Sequence, residues 1–309
     1  MPQVTVLLAT YNGSKYVRQM IDSVLAQTYT DFHLILSDDS SKDDTPQILE
    51  EYAQKHPKMI THYRSGVRFG NAQNHFMHLL EQFHDTPYIM FCDQDDVWHA
   101  DKMQKTYDLM KSTEDDGIPA LVHTDLRVVD GSLQQIAPSF CRHSGVRSDR
   151  LALRQLLVQN VVTGCTMMIT RPLAVLACKN YDAQAMRMHD WWLALLASAC
   201  GRIAFLPEST IDYRQHGNNS VGAKNVHSPA YLWQRLRSKS MRGSMRDGAL
   251  QARAFLRCYK NEISRKDQDL IAAFAATADA SWLKRNQIYL TNGLLKYGFI
   301  RIAAQLLGW

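Results

Sequence analysis

The chain has 309 residues, 46% of them hydrophobic and 21% charged, which is enough apolar material for one large α/β core with an appendage. No stretch approaches the roughly 18 uncharged apolar residues of a membrane span, and the start, MPQVTVLLATYNG, has no basic leader region. The net charge of +5 is uneven: residues 1–227 hold 21 Lys and Arg against 25 Asp and Glu, residues 228–309 hold 14 against 5.

Along the first 125 residues, short apolar runs alternate with amphipathic stretches. Residues 4–9 read as a buried strand ending in the turn Thr10-Tyr11-Asn12-Gly13. Tyr16, Met20, Ile21, Val24 and Leu25 then recur at helical spacing. Residues 32–36 form a second strand that breaks at Ser37-Asp38-Asp39-Ser40-Ser41. Thr45 as N-cap and Pro46 in the first turn open the next helix. A third strand at 60–63, a loop at 64–70 and a helix to about residue 83 follow. A fourth strand at 88–92 ends in Asp93-Gln94-Asp95-Asp96; a helix at 102–111 and a strand at 120–123 close this part. Such alternation predicts a parallel sheet with helices on both faces, whose ligands bind beyond the carboxyl ends of the strands.

After residue 125 the rhythm loosens. The pattern predicts a helix over 151–159, a strand over 166–170, a helix over 190–199 and a strand over 211–216, then helices alone from about residue 228. The six cysteines, Cys92, Cys141, Cys165, Cys178, Cys200 and Cys258, show no CxxC pairing, so free thiols in a reducing compartment are expected.

Three strand ends carry polar clusters, and the predicted topology brings them together. Asp93 and Asp95, two residues apart after a buried strand, can face one hard cation such as Mg²⁺ or Mn²⁺; the plainer alternative is a solvated turn. Asp38 and Asp39 can accept hydrogen bonds from a nucleobase or ribose, or simply close the strand as an Asx-turn.

Taken together, TYNGSKYVRQMIDSVLAQTY, LILSDDSSKDDT, FGNAQNHF and YIMFCDQDDVW resemble the nucleotide-binding half of family-2 inverting glycosyltransferases. The resemblance implies a GT-A fold: an α/β, Rossmann-like, mostly parallel sheet flanked by helices, here with a helical C-terminal extension. It implies a catalytic domain at 1–227, with a nucleotide-binding half at 1–125 and an acceptor-binding half at 126–227, then a basic helical region at 228–309. It puts the nucleotide on Thr10, Tyr11, Asn12, Asp38, Asp39, Arg68, Asn74, Asp93 and Arg214. Gln19 stands where relatives often have Glu, at a position that supports the loop. The metal falls to Asp93 and Asp95 with His216. The DQDDVW form is similar to a rhamnosyltransferase branch that uses dTDP-L-rhamnose to build O-antigen and capsule polysaccharides.

A single inverting displacement needs a base near the acceptor hydroxyl. In His189-Asp190-Trp191-Trp192, Asp190 matches the family's catalytic Asp, an N-cap being the plainer reading, and His189 is a reserve base. Gly164, Cys165, His189 and Trp191 are placed on the acceptor side, with Cys165 expected to pack rather than react. The segment from Tyr213 to Ser220 resembles one that folds over the diphosphate, where Arg214 would meet phosphate oxygens. His75, His78, His123 and His143 lack ligand spacing and read as structural.

The basic end interleaves aromatic residues, Tyr231, Trp233, Trp282, Tyr289, Tyr297, Phe299 and Trp309, with cations. An amphipathic stretch at 282–309, with Lys284, Arg285, Lys296 and Arg301 near headgroups, suits the inner-membrane surface and an acceptor on polyprenyl diphosphate. The opposed reading packs these helices on the catalytic body. A nucleic-acid binder leaves the carboxylate clusters unexplained, and a nucleotide-sugar pyrophosphorylase wants a Gly run where this chain has TYNGSK.

Overall fold

The computed structural model describes residues 2–216 and 240–307. Gly217 to Ser220, Tyr231, Trp233 and Trp309, singled out above, lie outside the described residues. Strands β1 (Val4–Thr10), β2 (Phe32–Asp38), β3 (Ile60–Tyr63) and β4 (Tyr88–Asp93) run parallel in the spatial order β3-β2-β1-β4. Helices α1 (Val17–Leu25), α2 (Thr45–Lys55) and α3 (Ala72–Gln82) make the crossovers. Thr45 is the first helical residue of α2, with Asp44 at the cap, one position earlier than its sequence suggests.

The second half departs from expectation. β5 (Val97–Trp98), α4 (Lys102–Thr113), β6 (Ala120–Val129), β7 (Gln135–Ala137), α5 (Phe140–His143), α6 (Leu153–Val158), β8 (Met168–Thr170), α7 (Arg171–Lys179), α8 (His189–Cys200) and β9 (Arg202–Arg214) follow. The sheet order is β3-β2-β1-β4-β8-β6-β9-β5, with β7 on β6. β8 is antiparallel to both β4 and β6, β5 to β9 and β7 to β6, while β6 and β9 are parallel. The mostly parallel sheet expected from the alternation is therefore corrected to a mixed one. The physical reason is that no crossover helix follows β6, which instead turns back through residues 130–134 into β7. β5, β7 and α7 were not legible: two are too short for a periodic signal, and α7 starts directly after a three-residue strand.

Strand alternation sorts the core onto two faces. Val4, Val6 and Leu8 with Leu34, Leu36, Met90 and Cys92 pack under α1, α2 and α4. Leu7, Ile35, Ile89 and Phe91 face α3, α7 and α8. Helices α9 (Ser240–Tyr259), α10 (Arg265–Ala276), α11 (Trp282–Thr291) and α12 (Phe299–Leu307) form the C-terminal region. Phe255, Tyr259, Phe274 and Tyr289 join the same buried cluster as α8, so this region packs on the catalytic body. No helix among the described residues is long and apolar enough to cross a membrane.

Candidate active site

The register of the sheet sets the site. Thr10 pairs with Asp38 and Ala9 with Asp93, so the carboxyl ends of β1, β2 and β4 stop at one level. Asn12 turns the chain with a positive φ of 49°, its N–H donating to Ser41 Oγ at 2.7 Å while its side chain accepts from Lys42 N. Next to it, a Cβ on Gly13 would lie 2.2 Å from Gln94 Oε1, the oxygen that accepts from Tyr11 N. The Asp38 carboxylate accepts from Thr10 Oγ1, Ser41 N and Ser41 Oγ, the arrangement of an Asx-turn. Buried Asp39 accepts from Phe69 N and Gly70 N and so ties down the loop that carries Arg68. Arg68 is exposed, its guanidinium 5.8 Å from the centre of the exposed Tyr11 ring. The Asn74 amide turns back to Phe69 O, and its N–H is capped by Asn71.

Beyond β4 the carboxylates crowd. Burial, then Asp95 and Asp190, push the Asp93 carboxyl up. Asp95 Oδ2 lies 2.7 Å from His216 Nε2, and His216 stacks on Tyr16. Ligand atoms of Asp93, Asp96 and Cys165 lie within 4.8 Å of one another. This negative, oxygen-rich surface fits a hard divalent cation, and the Asp95–His216 contact adds a nitrogen that Mn²⁺ accepts. Cys165 is a poor hard-cation ligand, because burial holds its thiol far above its ordinary value.

Arg214, expected on phosphate, is buried and spends its guanidinium on the protein. It donates to Asp95 O at 2.7 Å, Gly131 O at 2.8 Å and Gln19 Oε1 at 2.6 Å, over the face of Tyr16. Its backbone N–H donates to Asp96 Oδ1. In this arrangement it braces the acidic turn from behind, and Gln19 braces Arg214.

Asp190 sits in the first turn of α8, inside the helix and not at its cap, which is Met188. Its Oδ1 accepts from Asn160 Nδ2 at 3.0 Å and its Oδ2 from Gly164 N at 3.1 Å. Burial raises its pKa to about 7, against these bonds and the Trp191 N–H, which favour the carboxylate. Glycine at 164 is required by space: a Cβ there would stand 2.8 Å from His189 Nε2. His189 is 2% exposed, wedged against Phe76 and Phe91, and burial lowers its pKa to about 3. It packs as a neutral ring. The Trp191 indole N–H donates to Leu156 O, so that residue anchors α8 on α6.

Sequence reasoning passed over Asn160, Gln94 and Lys102. Asn160 closes on itself the loop it begins, accepting from Val162 N and donating to Val162 O. The Lys102 ammonium is fully buried, 4.6 Å from the Trp98 ring centre and close enough to Asp96 for its charge to be felt. Asp96 Oδ2, Trp98 Nε1 and Lys102 Nζ are all buried without a hydrogen-bond partner. Of the histidines read as structural, His75 and His123 are buried and held at about 4 and about 3.

Comparison with known proteins gives the family and the fold. The chain is 27% identical over 224 residues to dTDP-rhamnosyl transferase RfbG of Shigella flexneri, covering 70% of this chain and 74% of that one. It is 33% identical over 129 residues to chondroitin synthase of Escherichia coli, covering 42% and 18%. Among solved structures it superposes on Pyrobaculum calidifontis mannosyltransferase PcManGT in complex with GDP-Man and Mn²⁺, with a TM-score of 0.56 at 17% identity over 99% and 85% of the two chains. Staphylococcus aureus TarS 1–349 with UDP-GlcNAc gives 0.57 at 14% identity over 94% and 80%. At such identities these two show the fold alone, of GT-A type. The sequence profile of glycosyl transferase family 2 matches residues 5–175, more than half of the chain, and the protein belongs to that family of enzymes.

Proposed function

We propose that the chain is a metal-assisted inverting glycosyltransferase that takes its sugar from a nucleoside diphosphate. The observation that carries this reading is the approach of a buried Asp190, held by neutral donors, to the carboxylates at the end of β4. In this reading residues 1–125 hold the donor and residues 126–227 the acceptor. The turn at Thr10, Tyr11 and Asn12, with Asp38, Asp39, Arg68 and Asn74, would receive the nucleoside. Asp93, Asp95 and His216 would hold Mg²⁺ or Mn²⁺. The bound cation supplies charge neutralisation of the departing diphosphate. Asp190 takes the proton from the acceptor hydroxyl as that oxygen attacks the anomeric carbon from the face opposite the leaving group. Gly164 leaves room for the His189 ring while its N–H holds Asp190, and Arg214 holds the acidic turn in register.

The donor reading divides in two. The DQDDVW segment and the likeness to RfbG support dTDP-L-rhamnose. The solved relatives, with UDP-GlcNAc in one and GDP-Man in another, widen the support to other donors, a UDP-linked sugar first among them. The acceptor is read as a hydroxyl of a lipid-linked surface polysaccharide such as O-antigen or capsule, met by a cytoplasmic enzyme at the inner-membrane surface; the basic C-terminal region supports this. A nucleotide-sugar panel with Mn²⁺, scored by thermal shift, separates the donors: the pair that stabilises most is the substrate. The transferase reading itself is tested by product analysis. Metal-dependent release of nucleoside diphosphate with an inverted glycoside supports it. Synthesis of nucleotide sugar from a sugar phosphate would replace it with a pyrophosphorylase.

A further inference from the structure

Seven of the twelve large apolar side chains exposed among the described residues lie between positions 282 and 307, on the last two helices and their connection. The two helices form a hairpin. Trp282 Nε1 and Asn286 Nδ2 both donate to Leu306 O, and Gln305 links Lys296 N to Leu294 O. One side of this hairpin is spent on the body: Ile288, Tyr289, Leu294 and Ala304 are buried. Trp282, Leu283, Leu290, Phe299, Ile300 and Leu307 remain outside, Phe299 at 86% and Leu283 at 73%. Leu283 and Leu290 are seven residues apart on α11, and Ile300 and Leu307 seven apart on α12, so each pair shares a helix face.

Charge separates the possible occupants of this surface. Residues 281–309 contain four Lys or Arg and no acidic residue. The segment packed beside α12 adds more. Arg147 and Arg150 stand 5.7 and 5.6 Å from the centre of the Tyr297 ring, Arg154 is exposed nearby, and Arg301 donates to the carbonyls of Ser144 and Gly145. Asp149, paired with Arg147, is the carboxylate within this group. Two copies of such a face brought together would set arginines against arginines, which opposes self-association. An anionic phospholipid bilayer meets both features: it accepts apolar side chains below the headgroups and draws cations to the phosphates. Lys296 and Arg301 are not the headgroup contacts their sequence positions suggest, since Lys296 is buried and Arg301 bonds to carbonyls; Lys284, Arg147 and Arg154 are exposed.

We infer that the α11–α12 hairpin, flanked by the arginines at 147, 150 and 154, is a docking surface that seats the enzyme in the interface of an anionic bilayer. The inference deepens the lipid-borne acceptor reading and rests on it for its use: the segment carrying these arginines leads through Asn160 to Gly164, so the docked face and the face where Asp190 works belong to one stretch of chain.

The test is co-sedimentation of the full chain with vesicles of phosphatidylcholine alone and of phosphatidylcholine with phosphatidylglycerol. Binding is expected to the mixed vesicles, to weaken as salt rises, and to be slight on phosphatidylcholine. Leu283→Ser with Phe299→Ser should weaken it at least about tenfold. Arg147→Ala with Lys284→Ala should weaken it roughly thirtyfold. These side chains are exposed, so melting temperatures should stay at the parent value, and Mn²⁺-dependent binding of dTDP or UDP should be unchanged. A parent chain that stays in the supernatant with mixed vesicles overturns the proposal, as does full binding by the Leu283/Phe299 variant. A concentration-dependent dimer that the same variant dissolves would assign the surface to a second copy instead. Loss of nucleotide binding by the parent would count against the transferase reading and leave the docking result standing.

Discussion

In the proposed reading, the donor-side carboxylates are placed by the register of the sheet, and the acceptor-side carboxylate is held by one side chain and one loop N–H. Asp38 accepts from Ser41 and Thr10, Asp39 accepts from the backbone N–H groups of Phe69 and Gly70, and sheet register brings their strand end level with that of Asp93. Asp190 depends on Asn160 and Gly164, 30 and 26 residues earlier in the chain. A register-built site tolerates loss of one polar side chain as weaker binding. A site built from one buried group and two supports loses its chemistry when that group goes. The largest predicted effect follows: Asp190→Asn lowers kcat roughly a thousandfold while Mn²⁺-dependent nucleotide binding persists. Equal loss of nucleotide binding would make Asp190 a structural residue and erase the contrast. Asp95→Ala should do the opposite, removing the metal dependence of nucleotide binding; an unchanged metal titration would move the cation elsewhere.

Behind the donor side lies the exception to backbone ordering. Asp96 and Lys102 are both fully buried, and the charge of Asp96 is felt at Lys102 although no hydrogen bond joins them. If the two form a buried ion pair, Lys102→Met should cost about 3 kcal/mol of stability, read from urea unfolding. Adding Asp96→Asn to Lys102→Met should recover most of it. If the two costs simply add, the groups are not paired.

The same contrast explains what could be read from sequence. The shared level of the strand ends was legible because strand ends and polar clusters coincide within a few residues, and parallel alternation then brings TYN, SDD and DQDD to one end of the sheet. Asp190 was singled out through the resemblance, since an Asp opening a helix has a plainer explanation. Asn160 gave no signal, being a single polar residue whose partners are set by tertiary packing. Arg214 was singled out from sequence, and the folded chain shows three of its N–H groups turned onto Asp95, Gly131 and Gln19. The mixed order of the sheet was hidden for a similar reason, because three-residue strands carry no period.

A smaller effect sharpens the acceptor side. Asn160→Ala removes one donor from Asp190 and frees the loop to Gly164. A hydrogen bond to a charged group is worth about 1.5–3 kcal/mol, so kcat should fall between about tenfold and a hundredfold with the donor KM unchanged. A rise in donor KM of the same size would place Asn160 in general folding and not in the positioning of the base.

The mildest test varies pH alone. The Asp190 carboxyl ionises at about 7 because burial opposes its charge more than its hydrogen bonds favour it. A base works only when ionised, so kcat should fall about tenfold per pH unit below that value and level off above it. Stability should run the other way. Between the ordinary value of 3.8 and about 7 the folded chain holds this proton and the unfolded chain does not. The stabilisation is therefore complete below 3.8 and is lost as pH rises through 7. Asp190→Asn should remove this group's share of that slope, leaving a chain more stable at pH 8 than its active parent. If the variant is less stable at pH 8, the hydrogen bonds from Asn160 and Gly164 outweigh the burial, and the carboxylate is held in place at no energetic cost.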